Sequence, residues 1–293
     1  MEVKQRIPSR SSIAVAAALF VSVSLVIGAH AALNKLALDT AKTMVVDQYI
    51  DPAKRPLRVA LVIGNGHYPD ANAPLTRSIN DARALSAALR QDGFDVDMLE
   101  DASKSDMVHA VSRLKSKIGP NTVAMLFFGG YGVEAGHKSY MLPVDAVIWK
   151  ESDVRRNGIS VESVLELMKE QGARAKLVVV DASRRNPYER RFRSYSHGLA
   201  PINAPDKSLI LSSAAPGTVI EDEAQSEHSG EHEGEHSALV AELLRNLETP
   251  ASAETVFNKT RAAISQASDG KQVPAVSSSL AGDVSFGVAK AGS

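Results

Sequence analysis

The chain has 293 residues with a net charge of −1, and 44% of its residues are hydrophobic and 23% charged. This composition excludes a disordered or fibrous protein, and the near-neutral charge gives no indication of nucleic-acid binding. The sequence contains no cysteine. Disulfides, thiolate zinc sites and a thiol nucleophile are therefore excluded.

Residues 1–31 have the pattern of a secretory signal segment. Three basic side chains precede an uncharged apolar stretch that ends in Ala29-His30-Ala31, a motif of the A-x-A cleavage type. We expect cleavage directly after this motif. The alternative is an uncleaved membrane anchor, because the uncharged stretch is long enough to span a bilayer. Both alternatives export the rest of the chain to the periplasm or cell envelope, the second with membrane association.

The remaining sequence alternates short apolar runs with amphipathic segments. Residues 32–56 are expected to form a linker, because two proline-containing pairs interrupt their helical pattern. Beyond the linker, the patterns predict strands near residues 58–64, 94–99, 122–128, 140–142, 177–180 and 209–211, and helices near 77–91, 105–118, 160–170, 237–247 and 253–267. This order predicts one α/β domain over 57–289, with a mostly parallel central sheet flanked by helices.

Helical spacing of apolar residues also predicts which helix faces are buried. The expected buried positions are Ile79, Ala82, Leu85 and Leu89 in the first helix, and Val108, Val111, Leu114 and Ile118 in the second.

In an open parallel sheet, ligands bind in the crevice beyond the carboxyl ends of the strands. Four loops are expected to meet there. They are residues 64–68 (Gly-Asn-Gly-His-Tyr), 129–132 (Gly-Gly-Tyr-Gly), 181–187 (Asp-Ala-Ser-Arg-Arg-Asn-Pro) and 212–217 (Ser-Ser-Ala-Ala-Pro-Gly).

These loops, in this order, resemble those of the bacterial caspase-like peptidases, the metacaspase and orthocaspase group. The matching segments are Val59–Asn65, Asn80–Ala82, Gly93-Phe94, Leu126–Gly132, Leu142–Ala146, Asp181–Arg184 with Asn186-Pro187, and Ala215–Gly217. The resemblance covers about 57–288 and implies a caspase-like three-layer α/β sandwich.

The resemblance also implies a catalytic His in the glycine loop and a catalytic Cys just after the strand that ends in Asp. These positions hold Tyr131 and Ser183 here. A serine hydroxyl needs an adjacent base, and a tyrosine phenol, with a pKa of ~10, is a poor proton acceptor. We therefore expect a catalytically inactive homologue that acts as a binding or regulatory module outside the cytoplasm and requires no cofactor. The alternative is a hydrolase that uses Ser183 with a substitute base, first His67 and then His137 or His197.

In the metacaspase branch, the resemblance implies an acidic pocket that selects Arg or Lys. Asp81 and Asp181 match its two positions. Two carboxylates in a cleft favour a guanidinium or ammonium group through charge-assisted hydrogen bonds. The structural alternatives are that Asp181 caps the turn after its strand and that Asp81 is an ordinary first-turn helix acid. The expected partner is a basic peptide segment or an active relative.

A basic tract at residues 184–193 contains five arginines. It is expected to be a solvated loop or, alternatively, a surface for an acidic partner or for anionic lipid headgroups.

An acidic tract at residues 221–236 contains seven acidic residues and three histidines spaced by four, His228, His232 and His236. On a helix this spacing suits weak coordination of a transition metal. Two glycines in the tract favour a solvated loop instead.

Overall fold

The computed structural model describes residues 57–69, 74–182, 188, 198–220 and 235–287. The predicted signal segment, linker and basic tract lie outside these residues, apart from Tyr188. In the part of the chain that the structure describes, no helix is both long enough and apolar enough to cross a membrane.

The described residues contain eleven strands and six helices. In chain order they are β1 (Arg58–Gly64), α1 (Thr76–Gln91), β2 (Asp95–Glu100), α2 (Lys104–Lys117), β3 (Val123–Gly129), β4 (Gly132–Ala135), β5 (Lys138–Met141), α3 (Glu151–Asn157), β6 (Ile159–Ser160), α4 (Val161–Glu170), β7 (Ala175–Asp181), β8 (Ser208–Ser212), α5 (Ala238–Leu247), β9 (Ala251–Ser252), α6 (Ala253–Ala267), β10 (Ala275–Ser278) and β11 (Ser285–Phe286).

The central sheet has six strands in the order β10-β8-β7-β3-β1-β2. Five of them are parallel, and β10 joins β8 in antiparallel pairing. The three middle strands β7, β3 and β1 are almost entirely buried runs of aliphatic and aromatic residues. Such runs are typical of parallel strands that helices cover on both faces.

Alternate residues of each strand belong to different hydrophobic layers. In β1, Val59, Leu61 and Ile63 pack in one cluster with α2 and α4. Ala60 and Val62 pack in a second cluster with α1, α5 and α6. The side-chain period of two along a strand therefore divides the core into two halves. The predicted three-layer α/β sandwich is confirmed.

Most of the short elements were not predicted from the sequence. Strands β4, β5 and β6 form a small antiparallel sheet, and β9 pairs with β11. The sequence indicated β5 but not the others, nor α3 and β10. These strands have two to four residues and α3 has seven, which is too short for a hydrophobic period to be recognised.

The predicted buried face of α1 is confirmed, but that of α2 is partly wrong. Val108 is 45% exposed, whereas Met107, Ala110 and Leu114 are buried. The buried residues keep the spacing of three and four but begin one position earlier. The Ser103 hydroxyl accepts a hydrogen bond from the Asp106 N–H and so defines where α2 begins.

This correction predicts different costs for two truncations on α2. Leu114→Ala is expected to lower the free energy of unfolding by about 2–5 kcal/mol, because it leaves a cavity in the core. Val108→Ala is expected to cost less than about 1 kcal/mol, because its side chain is largely in solvent. Urea denaturation of both variants measures the difference. Equal costs would contradict the observed orientation of α2.

Candidate functional site

Three neighbouring strands end at the same level. Gly64, the last residue of β1, pairs with Gly129 at the end of β3, and Gly129 pairs with Asp181 at the end of β7. The loops that follow these strands therefore begin side by side, at the sheet edge where parallel α/β proteins bind ligands. The fourth predicted loop begins next to them, because Ser213 donates its N–H to the Val180 carbonyl at 3.0 Å.

Close packing at Gly64 brings α1 against this edge. A Cβ atom at this position would lie 2.5 Å from the Ser78 carbonyl oxygen and 2.7 Å from the Ala82 Cβ. Only glycine permits this approach of helix to strand. Asp81, between these two residues on α1, is thereby held near the ends of the strands.

Asp81 and Asp181, which we call the acidic pair, are both buried in the structure. Asp81 is 1% exposed and Asp181 2%. Asp81 lies in the second turn of α1, which begins at Thr76, so the alternative of an ordinary first-turn acid is wrong. Its position inside the fold, rather than at the helix terminus, is consistent with a role in the site.

Asp81 interacts electrostatically with the groups around it, including Asp181. Burial raises its pKa, and the charge of Asp181 raises it further. Hydrogen bonds from Ser237 and the charge of His236 act in the opposite direction, and the resulting pKa is about 6 rather than 3.8. Two carboxylates in one buried environment repel each other, and this repulsion favours a neutral acid or a bound cation.

His236 and Ser237 contact Asp81 directly. The Ser237 N–H donates to both carboxylate oxygens at 3.2 and 3.3 Å, and His236 Nδ1 lies 3.0 Å from Oδ1. His236 was predicted as a metal ligand together with His228 and His232, which lie outside the described residues. Among the residues with described placement, no group of three or more metal-binding side chains occurs.

Tyr131 packs into the wall of the site. Its ring is buried and meets the Tyr68 ring edge-on, with 4.9 Å between the centroids. Its N–H donates to the Tyr68 hydroxyl at 3.1 Å, and that hydroxyl donates to the Leu142 carbonyl at 2.9 Å. Ser183, the other position of the expected dyad, lies outside the described residues.

Asn65 holds three loops together beneath the site. The buried side chain accepts the Ala102 N–H at 2.9 Å and donates to the Leu142 carbonyl at 3.1 Å. A single amide therefore links the loops that follow β1, β2 and β5, and it satisfies backbone groups that would otherwise be buried without partners.

His67 lies at the rim of the site and is oriented by a carboxylate. Its side chain is 62% exposed, and Nδ1 lies 2.6 Å from Asp101 Oδ2. Asp101 Oδ1 accepts the N–H groups of Gly66 and His67 at 2.8 and 2.9 Å. Partial burial opposes ionisation of Asp101, but these N–H groups and the His67 ring lower its pKa below the usual value.

Asp101 is a site residue that the sequence analysis missed. It follows β2, and the loop after β2 was not among the four that we expected at the crevice. The position directly after a strand was the available signal. Of the other candidate bases, the His137 side chain is almost fully in solvent, with Nδ1 3.7 Å from Glu134 Oε1. His197 lies outside the described residues.

Comparison with known proteins agrees with this architecture. Residues 57–285 match the family model of the caspase domain. The chain is 32% identical over 161 residues to human mucosa-associated lymphoid tissue lymphoma translocation protein 1, which covers 54% of this chain and 18% of that protein. It is 33% identical over 136 residues to the homologous mouse protein, which covers 45% of this chain and 16% of that one.

The chain thus spans less than a fifth of the length of these two relatives. The family model, in contrast, extends from β1 to the first residue of β11 and includes every loop of the site. The sheet order and the loops at its carboxyl edge agree with that match. This chain belongs to the caspase domain family.

Proposed function

We propose that this protein is a binding module with a caspase fold, which holds an arginine or lysine side chain at the acidic pair and does not cleave the bound peptide. The observation that carries the proposal is the burial of Asp81 and Asp181 together at the carboxyl edge of the sheet.

A basic side chain suits this site for electrostatic reasons. Burial, and after it the charge of Asp181, makes ionisation of Asp81 unfavourable and raises its pKa. A guanidinium or ammonium group between the two carboxylates would replace their repulsion with charge-assisted hydrogen bonds. Guanidinium is preferred, because its planar fork matches carboxylate oxygens and it is less strongly hydrated than ammonium.

Absence of cleavage follows from the residues at the two dyad positions. No cysteine occurs anywhere in the 293 residues, so a thiolate nucleophile is excluded. The position of the family's catalytic histidine holds Tyr131, whose phenol is protonated at neutral pH. Its ring packs edge-on against Tyr68. These features favour a role in shaping the site over one in proton transfer.

The proposed setting is the periplasm or cell envelope, on the basis of the signal-like pattern of residues 1–31. The proposed partner is a basic segment of another exported protein or of an active relative. The proposed binding requires no cofactor.

A second candidate function is hydrolysis at Ser183 with His67 as the base. The contact of His67 Nδ1 with Asp101 favours it. With the proton on Nδ1, the carboxylate would fix the ring and leave Nε2 as a proton acceptor, which is the role of histidine in serine hydrolases.

The binding proposal predicts that the protein discriminates between peptides that differ in one charge. Acetyl-Ala-Ala-Arg-amide is expected to bind, and acetyl-Ala-Ala-Gln-amide to bind at least about tenfold more weakly. Asp181→Asn is expected to remove the preference, whereas Asp95→Asn, on the edge strand β2, retains it. Isothermal titration calorimetry measures the affinities, and mass spectrometry checks that the peptide stays intact. Equal binding of both peptides by the native protein contradicts the proposal.

Ionisation of Asp81 predicts a pH dependence of this binding. Because its pKa is raised to about 6, the carboxyl is neutral below that pH and cannot pair with guanidinium. Affinity for the arginine peptide is therefore expected to strengthen as the pH rises from about 5 to about 7. The same raised pKa means that the native state loses stability as the pH rises from 3.8 to about 6, because Asp81 ionises earlier in the unfolded chain than in the folded one.

Two ionisable groups, Asp181 and His236, face Asp81, so the control is Asp81→Asn measured at each pH. This variant is expected to lose most of the pH dependence. A native protein whose affinity is the same at pH 5 and pH 7 would show that Asp81 does not contact the ligand.

The two candidate functions predict opposite results with fluorogenic peptides that contain arginine or lysine. We expect the native protein to show no cleavage above that of Ser183→Ala. Cleavage that is lost in Ser183→Ala and His67→Ala, and reduced about 10⁴-fold in Asp101→Asn, would establish the hydrolase instead.

A further inference from the structure

The acidic pair is covered by residues of the same chain. His236 Nδ1 and the Ser237 N–H both contact the Asp81 carboxylate, at 3.0 and 3.2 Å to Oδ1. Asp81 and Asp181 are 1% and 2% exposed in this arrangement. An external cation therefore reaches these carboxylates only after a covering group has moved.

Ser237 is fixed by the helix that follows it. It is the N-cap of α5, and its hydroxyl accepts the Val240 N–H at 3.2 Å. Helix α5 is held in turn by three buried side chains, Leu239, Val240 and Leu243. Displacement of Ser237 would therefore break a helix cap and disturb part of the core.

His236 has fewer constraints. It precedes the cap of α5, its side chain is 23% exposed, and its ring contacts the Asp81 carboxylate. Rotation of this side chain exchanges one contact with a carboxylate for contact with water. Of the two covering residues, His236 is the one that can move without loss of secondary structure.

The imidazole of His236 also resembles, in shape and charge, the guanidinium group that the site would bind. It is a planar nitrogen base that donates a hydrogen bond from Nδ1 and is cationic when protonated. A guanidinium group that pairs with both oxygens of Asp81 would need Oδ1, the oxygen that His236 contacts. Occupation by His236 and occupation by a basic ligand are therefore mutually exclusive.

We infer that His236 is an internal occupant of the acidic pair, so that a basic ligand binds only by displacing it. This inference rests on the proposed function. It makes His236 a specificity determinant, because a ligand must compete with the imidazole as well as with water. Ligands with several strong donors, above all guanidinium, are selected over neutral side chains.

The test compares two opposite changes at one position. His236→Ala removes the competitor and is expected to tighten binding of acetyl-Ala-Ala-Arg-amide about tenfold. The reason is that the native protein binds the peptide only in the fraction of molecules whose His236 side chain has left Asp81. His236→Lys supplies a longer, permanently charged competitor and is expected to weaken binding at least about tenfold. Measurement by calorimetry on the full chain at about pH 8 keeps Asp81 ionised in every variant.

His109→Ala is the matched control, since His109 is an exposed histidine on α2 away from the acidic pair. The affinity of His109→Ala for the arginine peptide is expected to equal that of the native protein. Thermal unfolding checks that all variants are folded. Binding that depends on Asp181 but is unchanged or weaker in His236→Ala overturns the role of His236 and leaves the proposed function intact. Failure of the peptide to bind both the native protein and His236→Ala overturns both.

Discussion

The register of three parallel strands is the constraint on which the site depends. Gly64, Gly129 and Asp181 are paired across β1, β3 and β7, so their loops begin at one level. Close packing at Gly64 then brings α1 to the same edge, and with it Asp81. A shift of one residue in any of these strands would also turn its core side chains to the other face. The fold and the site are therefore specified by the same hydrogen-bond ladder.

On this edge, the acidic pair that we propose binds charge and the two dyad positions implied by the family resemblance come from different elements. The acidic pair comes from α1 and the end of β7, whereas the dyad positions come from the loops beyond β3 and β7. In the proposed function, Tyr131 and Ser183 replace the dyad while the carboxylates stay in position. On this proposal, a member of the caspase domain family has lost a nucleophile and retains a site for a basic side chain. In our further inference, His236 from the segment before α5 competes with that basic side chain, because its ring contacts Asp81.

Hydrophobic patterning was sufficient to predict the five parallel strands of the sheet and the helices α1, α2, α4, α5 and α6, but not the antiparallel strand β10. Helix α6 begins and ends at its predicted residues. The buried face of α2 was harder to predict. Met107 and Val108 both fit a helical period, and only the contact of the helix with the sheet decides which of them is buried. Contacts between residues far apart in the sequence could not be predicted. His67 is 34 residues from Asp101, and Asp81 is 155 residues from His236. Composition and spacing do not encode such pairs, which arise when separate elements pack together.

Restoration of the dyad tests the central claim most directly. In the variant Tyr131→His/Ser183→Cys, a base and a thiol return to the edge beside the acidic pair. With a library of fluorogenic peptides, we predict that the native protein is silent and that this variant cleaves after arginine or lysine. Cleavage without preference for a basic residue, or cleavage by the native protein itself, would contradict a site that retains recognition and has lost catalysis.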